Sequence, residues 1–445
     1  MKFSEANPHI DADPAIGEVP QHLPKLTTHG GVAAPVAPVT PEQTGIDTPV
    51  LYDLVLKLAA SVPRLTTEWA AERLCLPHSV TEHLFSQLRD DQHLEILGQS
   101  GPLTHRYHAT DRGRDQAQRL LEISGYIGPA PVSLDAYGAM LQWQIAQQVP
   151  PSPDDVAKAL SPLVLSPGAC DVAALAAASG RSLFLFGPPG NGKTSLATLM
   201  GKVLAGELWI PYCVNVESNI IRIYDPQCHQ LAPKLQGPAG RIDRRWLRVK
   251  RPVIVAGGEM TMAELDLTYS ASQRFYEAPP HVKANGGLFL LDDFGRQRID
   301  PTELLNRWII PLEQQIDYLT LATGQKIRIP FQLLLILATN LSKSADPAFL
   351  RRIGYRIHMD KPDEERYAEI FRRYAESIGV PVQNPLVASL LERYKKENRE
   401  LRSCEPRDLL ERCRDICGLR KQRLVISQEL LDEAWRAYFG DPNKE

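Results

Sequence analysis

The sequence has no uninterrupted apolar run approaching the about 18 residues that a membrane-spanning helix needs, so no segment is expected to cross a bilayer. Net charge is also scarce: −3 over 445 residues gives no global attraction for nucleic acid or for an acidic membrane surface. Cysteine is sparse, seven in all, an odd number with no Cys-x-x-Cys spacing. Cys413 and Cys417 lie four apart on an expected helix, but no nearby His or further Cys completes a metal-ligand set. The thiols therefore read as reduced packing residues, and the expected compartment is the cytoplasm. Met1-Lys2-Phe3-Ser4 leads into Asn, Pro, His and Asp rather than an apolar signal core, so secretion is not expected.

What is present is the composition of a soluble globular chain, 43% hydrophobic and 23% charged, long enough for two or three domains. Residues 1–48 are rich in proline and contain Gly30-Gly31 and the run Ala33 to Pro41, a composition that predicts a disordered or extended tail. Residues 49–125 change character. Apolar residues recur at helical spacing from Val50 to Val62, Thr66 caps a second helix to Leu74, and Ser79 to Leu94 makes a third. Glu95-Ile96-Leu97 and His105 to Thr110 flank a Gly-containing turn as a short hairpin, and a helix follows from Asp111 to Ser124. Three helices, a two-stranded wing and a closing helix resemble a winged-helix domain. Many such domains read DNA, but this one carries eight Lys/Arg against ten Asp/Glu, a net of −2, and its third helix ends Arg89-Asp90-Asp91. Phosphate neutralisation dominates DNA affinity, so a protein-interaction role is expected, with DNA as the alternative. Residues 126–154, with Gly128-Pro129-Ala130-Pro131 and Val149-Pro150-Pro151-Ser152-Pro153, read as a linker around a short helix.

The chemistry lies further on. Ser182 to Phe186 is an apolar run suited to a buried parallel strand. It feeds Gly187-Pro188-Pro189-Gly190-Asn191-Gly192-Lys193-Thr194-Ser195, the P-loop pattern, after which Ser195 to Leu204 continues as a helix. Glycines let backbone N–H groups turn toward phosphates, and the helix N-terminus adds partial positive charge. Lys193 would reach the β and γ phosphates of ATP, and the Thr194 hydroxyl would ligate Mg²⁺. A second apolar strand, Gly286 to Leu291, ends in Asp292-Asp293, the Walker B pattern: Asp292 would hold Mg²⁺ through water, and Asp293 would polarise the attacking water. A third, Gln332 to Ala338, ends in Thr339-Asn340, and the carboxyl ends of parallel strands are where open α/β sheets place ligand contacts.

In this order the pieces resemble the AAA+ ATPase family, from about Asp155 to Gly440. The resemblance implies an α/β fold: a P-loop NTPase parallel sheet over 155–360, a C-terminal helical lid over 361–445, and the winged helix in front. It implies that Asn340 is sensor 1, positioning the hydrolytic water. It also implies that the segment Asp346 to Ile353 carries an arginine finger, Arg352 before Arg351, and that Arg407 of Cys404-Glu405-Pro406-Arg407 is sensor 2. The family commonly has Asp-Glu where this chain has Asp292-Asp293; the shorter side chain predicts slow hydrolysis. Asp317 to Leu321 and Ile327 to Pro330 read as a hairpin before sensor 1 and resemble that of the MoxR-type group. A further hairpin is expected from Trp209 to Tyr224. The Gly-Ala-Phe-Thr-Gly-Ala loop of enhancer-binding activators is absent. The strip Arg241 to Arg251 holds six Lys/Arg, one Asp and Trp246, and reads either as a solvated insert or as a pore or single-strand contact. The family implies a homo-oligomer, a hexameric ring, with a remodelled protein client as partner; a DNA-associated ATPase is the alternative.

Overall fold

The computed structural model describes residues 20–99, 105–235, 241–295, 300–340 and 350–440. Its centre is an all-parallel sheet of Leu183–Phe186 (β1), Val253–Ala256 (β2), Leu288–Leu291 (β3), Leu334–Thr339 (β4) and Tyr355–His358 (β5). The spatial order is β2-β3-β4-β1-β5. β1, β3 and β4 read as continuous apolar runs because both of their faces are covered. On one face, Leu183, Leu185, Leu288, Leu290 and Ile336 pack against Ala173 and Ala176 of the helix Pro167–Ser179 (α1) and Leu196 and Met200 of Lys193–Val203 (α2). On the other, Phe184, Phe289, Leu335 and Leu337 meet Leu304, Leu305 and Trp308 of Pro301–Gln314 (α3). The chain then closes with four helices, Glu364–Ser377 (α4), Asn384–Lys396 (α5), Glu405–Leu419 (α6) and Gln428–Phe439 (α7), built around Tyr367, Phe371, Tyr394, Leu409 and Trp435. The molecule is thus a mixed α/β protein with a P-loop-type parallel sheet and a C-terminal helical region.

Residues 20–48, part of the stretch expected as a tail, are ordered. Leu26–His29 and Val32–Pro35 pair as an antiparallel hairpin, and Ala34 is fully buried. Its backbone is held from far along the chain: Trp209 Nε1 donates to Ala33 O (2.9 Å), and the Asp243 amide donates to Pro35 O (2.8 Å). The expected linker is corrected too. Val132–Ser133 joins a five-stranded sheet beside Cys213–Val216, and the helix Leu134–Ala146 buries Tyr137, Met140 and Leu141. The Gln144 side chain donates to Trp209 O (3.0 Å) and accepts from Trp209 N (2.6 Å).

In the N-terminal unit the helices span Thr48–Ala60, Thr67–Leu74, His78–Asp90 and Asp111–Ile123. Its sheet has three strands, with His105–Ala109 between Leu65–Thr66 and Leu94–Gln99. The hairpin before β4 pairs Ile316–Thr320 with Lys326–Pro330. Asp317 anchors it, accepting from Arg307 Nη2 of α3 (2.7 Å) and facing His281 Nε2 (2.8 Å). Burial pushes the Asp317 carboxyl up, but the bonds to His281 and Arg307 outweigh it and hold it at about 2. Within the region expected as one hairpin, Cys213–Val216 pairs with Asn219–Arg222, while Trp209 belongs to Glu207–Pro211. Among the described residues no helix is long and apolar enough to cross a membrane, and all seven cysteines are free.

The basic strip is divided, part engaged by the protein and part exposed, so the reading of it as a wholly solvated or pore-lining surface is corrected for Arg245, Arg248 and Arg251. Trp246–Lys250 pairs antiparallel with Glu207–Pro211, and Trp246 is buried. Arg245, 4% exposed, makes a bidentate pair with Asp243 and donates to Thr44 O (2.9 Å) and Pro131 O (3.0 Å). Arg248 pairs with Glu207, and Arg251 donates to Gly286 O (2.6 Å). Arg241, Arg244 and Lys250 remain exposed. Breaking a buried pair leaves an uncompensated charge, so Arg245→Met is expected to cost about 3–5 kcal/mol. Arg244→Met should stay within about 0.5 kcal/mol. Urea unfolding followed by tryptophan fluorescence distinguishes the two.

Candidate functional site

β1 ends at Phe186, and the chain turns back over its end through Gly187, Gly190 and Gly192, with φ of 137°, 81° and 84°. Side chains are excluded there. A Cβ on Gly187 would lie 2.4 Å from Met359 O, and one on Gly190 would lie 2.8 Å from Cys404 Sγ. Gly192 caps α2, whose first helical bond runs from Leu196 N to Gly192 O (2.8 Å). The amides of the opening turn therefore face out of the helix end, a ready cradle for anions. Lys193 is 7% exposed, and its Nζ donates to Gly187 O and Pro188 O, both at 2.8 Å. Burial depresses its pKa, opposed by the charges of Asp292 and Asp293. Pro188, Pro189, Thr194 and Ser195 are exposed around this cradle, whereas Asn191 is buried.

The sheet order brings the remaining groups to the same place. β4 lies between β1 and β3, so the carboxyl ends of all three adjoin. At the end of β3, Asp292 Oδ2 accepts from Thr194 Oγ1 (2.8 Å) and its Oδ1 accepts from the Asp293 amide (3.0 Å). Asp293 has φ of 50°, a left-handed conformation that costs a non-glycine residue energy and that recurs at functional sites. That turn is stitched to β4 by Phe294 N to Ala338 O and Thr339 Oγ1 to Phe294 O, both 2.7 Å. Asn340 then donates through Nδ2 to Asp293 Oδ1 (2.7 Å).

These groups fit a nucleotide phosphate chain with Mg²⁺. The glycine-lined turn, helix end and buried ammonium suit phosphate oxygens. The Thr194 hydroxyl and Asp292 carboxylate are hard oxygen donors close enough to share one ion. Among the described residues no cluster of three or more His, Cys, Asp or Glu is placed to hold a metal. One carboxylate with a hydroxyl is the sparse protein share typical of Mg²⁺ bound along with phosphates.

The three arginines named from sequence are not part of this constellation. Arg407 is exposed on α6, with Nε and Nη2 on Asp408 Oδ1 (3.1 and 3.0 Å). Arg351 and Arg352 precede β5 and so sit toward the opposite, amino end of the strands; Arg352 Nε pairs with Glu313 (2.5 Å). They border a cleft of about 940 Å³ that also includes Arg181 and Glu313. Asp346 to Phe349 of that segment lie outside the described residues. One set of contacts was missed. The turn before α6 reaches the loop through backbone donors, Cys404 N to Gly190 O (2.9 Å) and Ser403 N to Asn191 Oδ1 (3.2 Å). Backbone amides leave no residue signature.

Comparison with known proteins adds little. A family model described as a domain of unknown function, DUF8689, matches residues 363–437, the helical region. No curated protein matches the chain. Among solved structures, the RuvB Holliday junction branch migration motor of Thermotoga maritima is 17% identical, with 62% of this chain and 70% of that chain covered at a TM-score of 0.37. NtrX from Brucella abortus in complex with ADP is 14% identical, with 75% and 68% covered at a TM-score of 0.38. With TM-scores this low, neither likeness bears on what the site does.

Hydrogen bonds to a charged donor contribute about 1.5–3 kcal/mol, so Lys193→Ala should weaken binding of a fluorescent ATP analogue roughly ten- to hundredfold. Fluorescence titration with matched circular dichroism spectra checks this.

Proposed function

We propose that this chain is an ATP hydrolase of the AAA+ type, working as a ring that remodels a protein client recruited by a winged-helix N-terminal domain. The observation that carries the nucleotide reading is the pair of bonds Thr194–Asp292 and Asn340–Asp293, which joins three segments far apart in sequence at one end of the sheet. In this reading Lys193 leaves the Gly187 and Pro188 carbonyls for the phosphates and places its charge where negative charge develops. Thr194 and Asp292 would hold Mg²⁺, which would neutralise phosphate charge. Asp293 orients a water and takes its proton, and Asn340 fixes the Asp293 carboxylate.

Arg351 and Arg352 lie toward the far end of the strands from their own P-loop, which supports a role on a neighbouring subunit. Arg352 is engaged by Glu313, so Arg351, the more exposed, shares the candidacy as finger. Arg407 would swing from Asp408 toward the γ phosphate when the helical region closes. The net −2 of the N-terminal unit and the engagement of Arg245 and Arg248 by protein partners favour a protein client over the DNA-associated alternative.

Asp293→Asn removes the base, so hydrolysis should fall by about 10²–10⁴-fold while nucleotide binding stays within about threefold. Equal loss of binding and turnover would sink the assignment. With Asp in place of Glu, the native chain is expected to turn over at or below the low end of the usual range, about 1 s⁻¹. Sharing of sites is tested by mixing Lys193→Ala subunits with a variant carrying both Arg351→Ala and Arg352→Ala. Activity above the average of the two separate preparations is expected, since each mixed interface can unite an intact P-loop with intact arginines. A strictly averaged rate would place the arginines outside the shared site.

A further inference from the structure

The turn leading into α6 is organised by a buried carboxylate that, among the described residues, has no cation bonded to it. Glu405 is 3% exposed, and its Oε2 accepts from the Tyr394 hydroxyl (2.8 Å) and from the Arg402 amide (3.2 Å). Tyr394 in turn accepts from the Tyr367 hydroxyl (3.0 Å), so the chain of bonds runs from α4 through α5 to the start of α6. With the Arg402 amide so held, the next two amides point at the P-loop: Ser403 N to Asn191 Oδ1 and Cys404 N to Gly190 O. Asn191 is itself buried and braces the loop through Nδ2 to Pro188 O (3.4 Å). The approach is close enough that a Cβ on Gly190 would strike Cys404 Sγ.

We propose that Glu405 is a positioning residue: it sets the Arg402–Cys404 turn as a latch on Gly190 and Asn191, and this latch governs how long a nucleotide stays in the P-loop. The latch rests on the nucleotide reading given above for its consequence, but not for its geometry. Asn191 is the P-loop's side of the contact, its side chain engaged by Ser403 N and Pro188 O, and Glu405 is the helical region's side. An open latch frees the apex of the loop, and nucleotide dissociates faster.

The test compares Glu405→Leu, which has no acceptor, with Glu405→Gln, whose amide oxygen can still accept from Tyr394 and Arg402. Two measurements are made on the full chain. Hydrogen exchange by mass spectrometry without nucleotide should show faster exchange over residues 187–195 and 402–406 in Glu405→Leu and near-native exchange in Glu405→Gln. Stopped-flow release of a fluorescent ADP should be roughly tenfold faster in Glu405→Leu and within about twofold of native in Glu405→Gln. Asn191→Ala, which keeps Glu405, should speed release in the same direction. Unchanged exchange in a folded Glu405→Leu would overturn the latch whatever the nucleotide data show. Altered exchange with unaltered ADP release would overturn its role in retention. A native chain that binds no ADP would instead refute the nucleotide reading, and with it the retention role, while the exchange data judge the latch geometry.

Discussion

Double-sided burial of β1, β3 and β4 is the constraint on which the rest of the structure depends. Leu183, Leu185, Leu288, Leu290 and Ile336 face α1 and α2, while Phe184, Phe289, Leu335 and Leu337 face α3, so no polar side chain fits between strand ends. The site's polar groups follow the carboxyl ends, where the strands give way to Gly187, Asp292 and Asn340. Because β4 is inserted between β1 and β3, the same packing that excludes water from the sheet delivers an ammonium, two carboxylates, a hydroxyl and an amide to one edge. The site is thus a by-product of how the apolar strands are ordered.

Around this edge the molecule holds its parts with few but buried polar links. Asp317 ties α3 to the hairpin before β4 through Arg307 and to the preceding segment through His281. Arg245 ties the inserted strand pair to Thr44 and Pro131, the segments that flank the N-terminal unit. Each link is a group that would be costly to leave unpaired, so each fixes the register of the element that carries it. The helical region is fixed to the P-loop differently, by two backbone donors, Cys404 N and Ser403 N.

Much of this was legible in the sequence where the signal is local. The runs Leu183–Phe186, Leu288–Leu291 and Leu334–Thr339 announce themselves because continuous burial demands continuous apolarity, and the glycines at 187, 190 and 192 because a positive φ demands them. The structure brings Lys193, Thr194, Asp292, Asp293 and Asn340 together, as their positions at strand ends imply. Composition misled at residues 20–48 and 126–154. Proline density signals a chain that cannot satisfy itself locally, but the partners of Ala33, Pro35 and Gln144 are Trp209 and Asp243, too distant for any window to see. The basic strip misled for a related reason. A charge run looks solvated until tertiary structure buries Arg245 on a carboxylate two residues away.

The central claim is that the end of this sheet is a Mg²⁺-dependent nucleotide site. Isothermal titration of the native chain and of Thr194→Ala with a non-hydrolysable ATP analogue, with and without MgCl₂, tests it most directly. The account predicts one nucleotide per native chain, bound about tenfold or more tightly with Mg²⁺, and a Thr194→Ala variant that still binds but has lost most of the Mg²⁺ gain. No binding by the native chain, or an Mg²⁺ gain that survives Thr194→Ala undiminished, would contradict it.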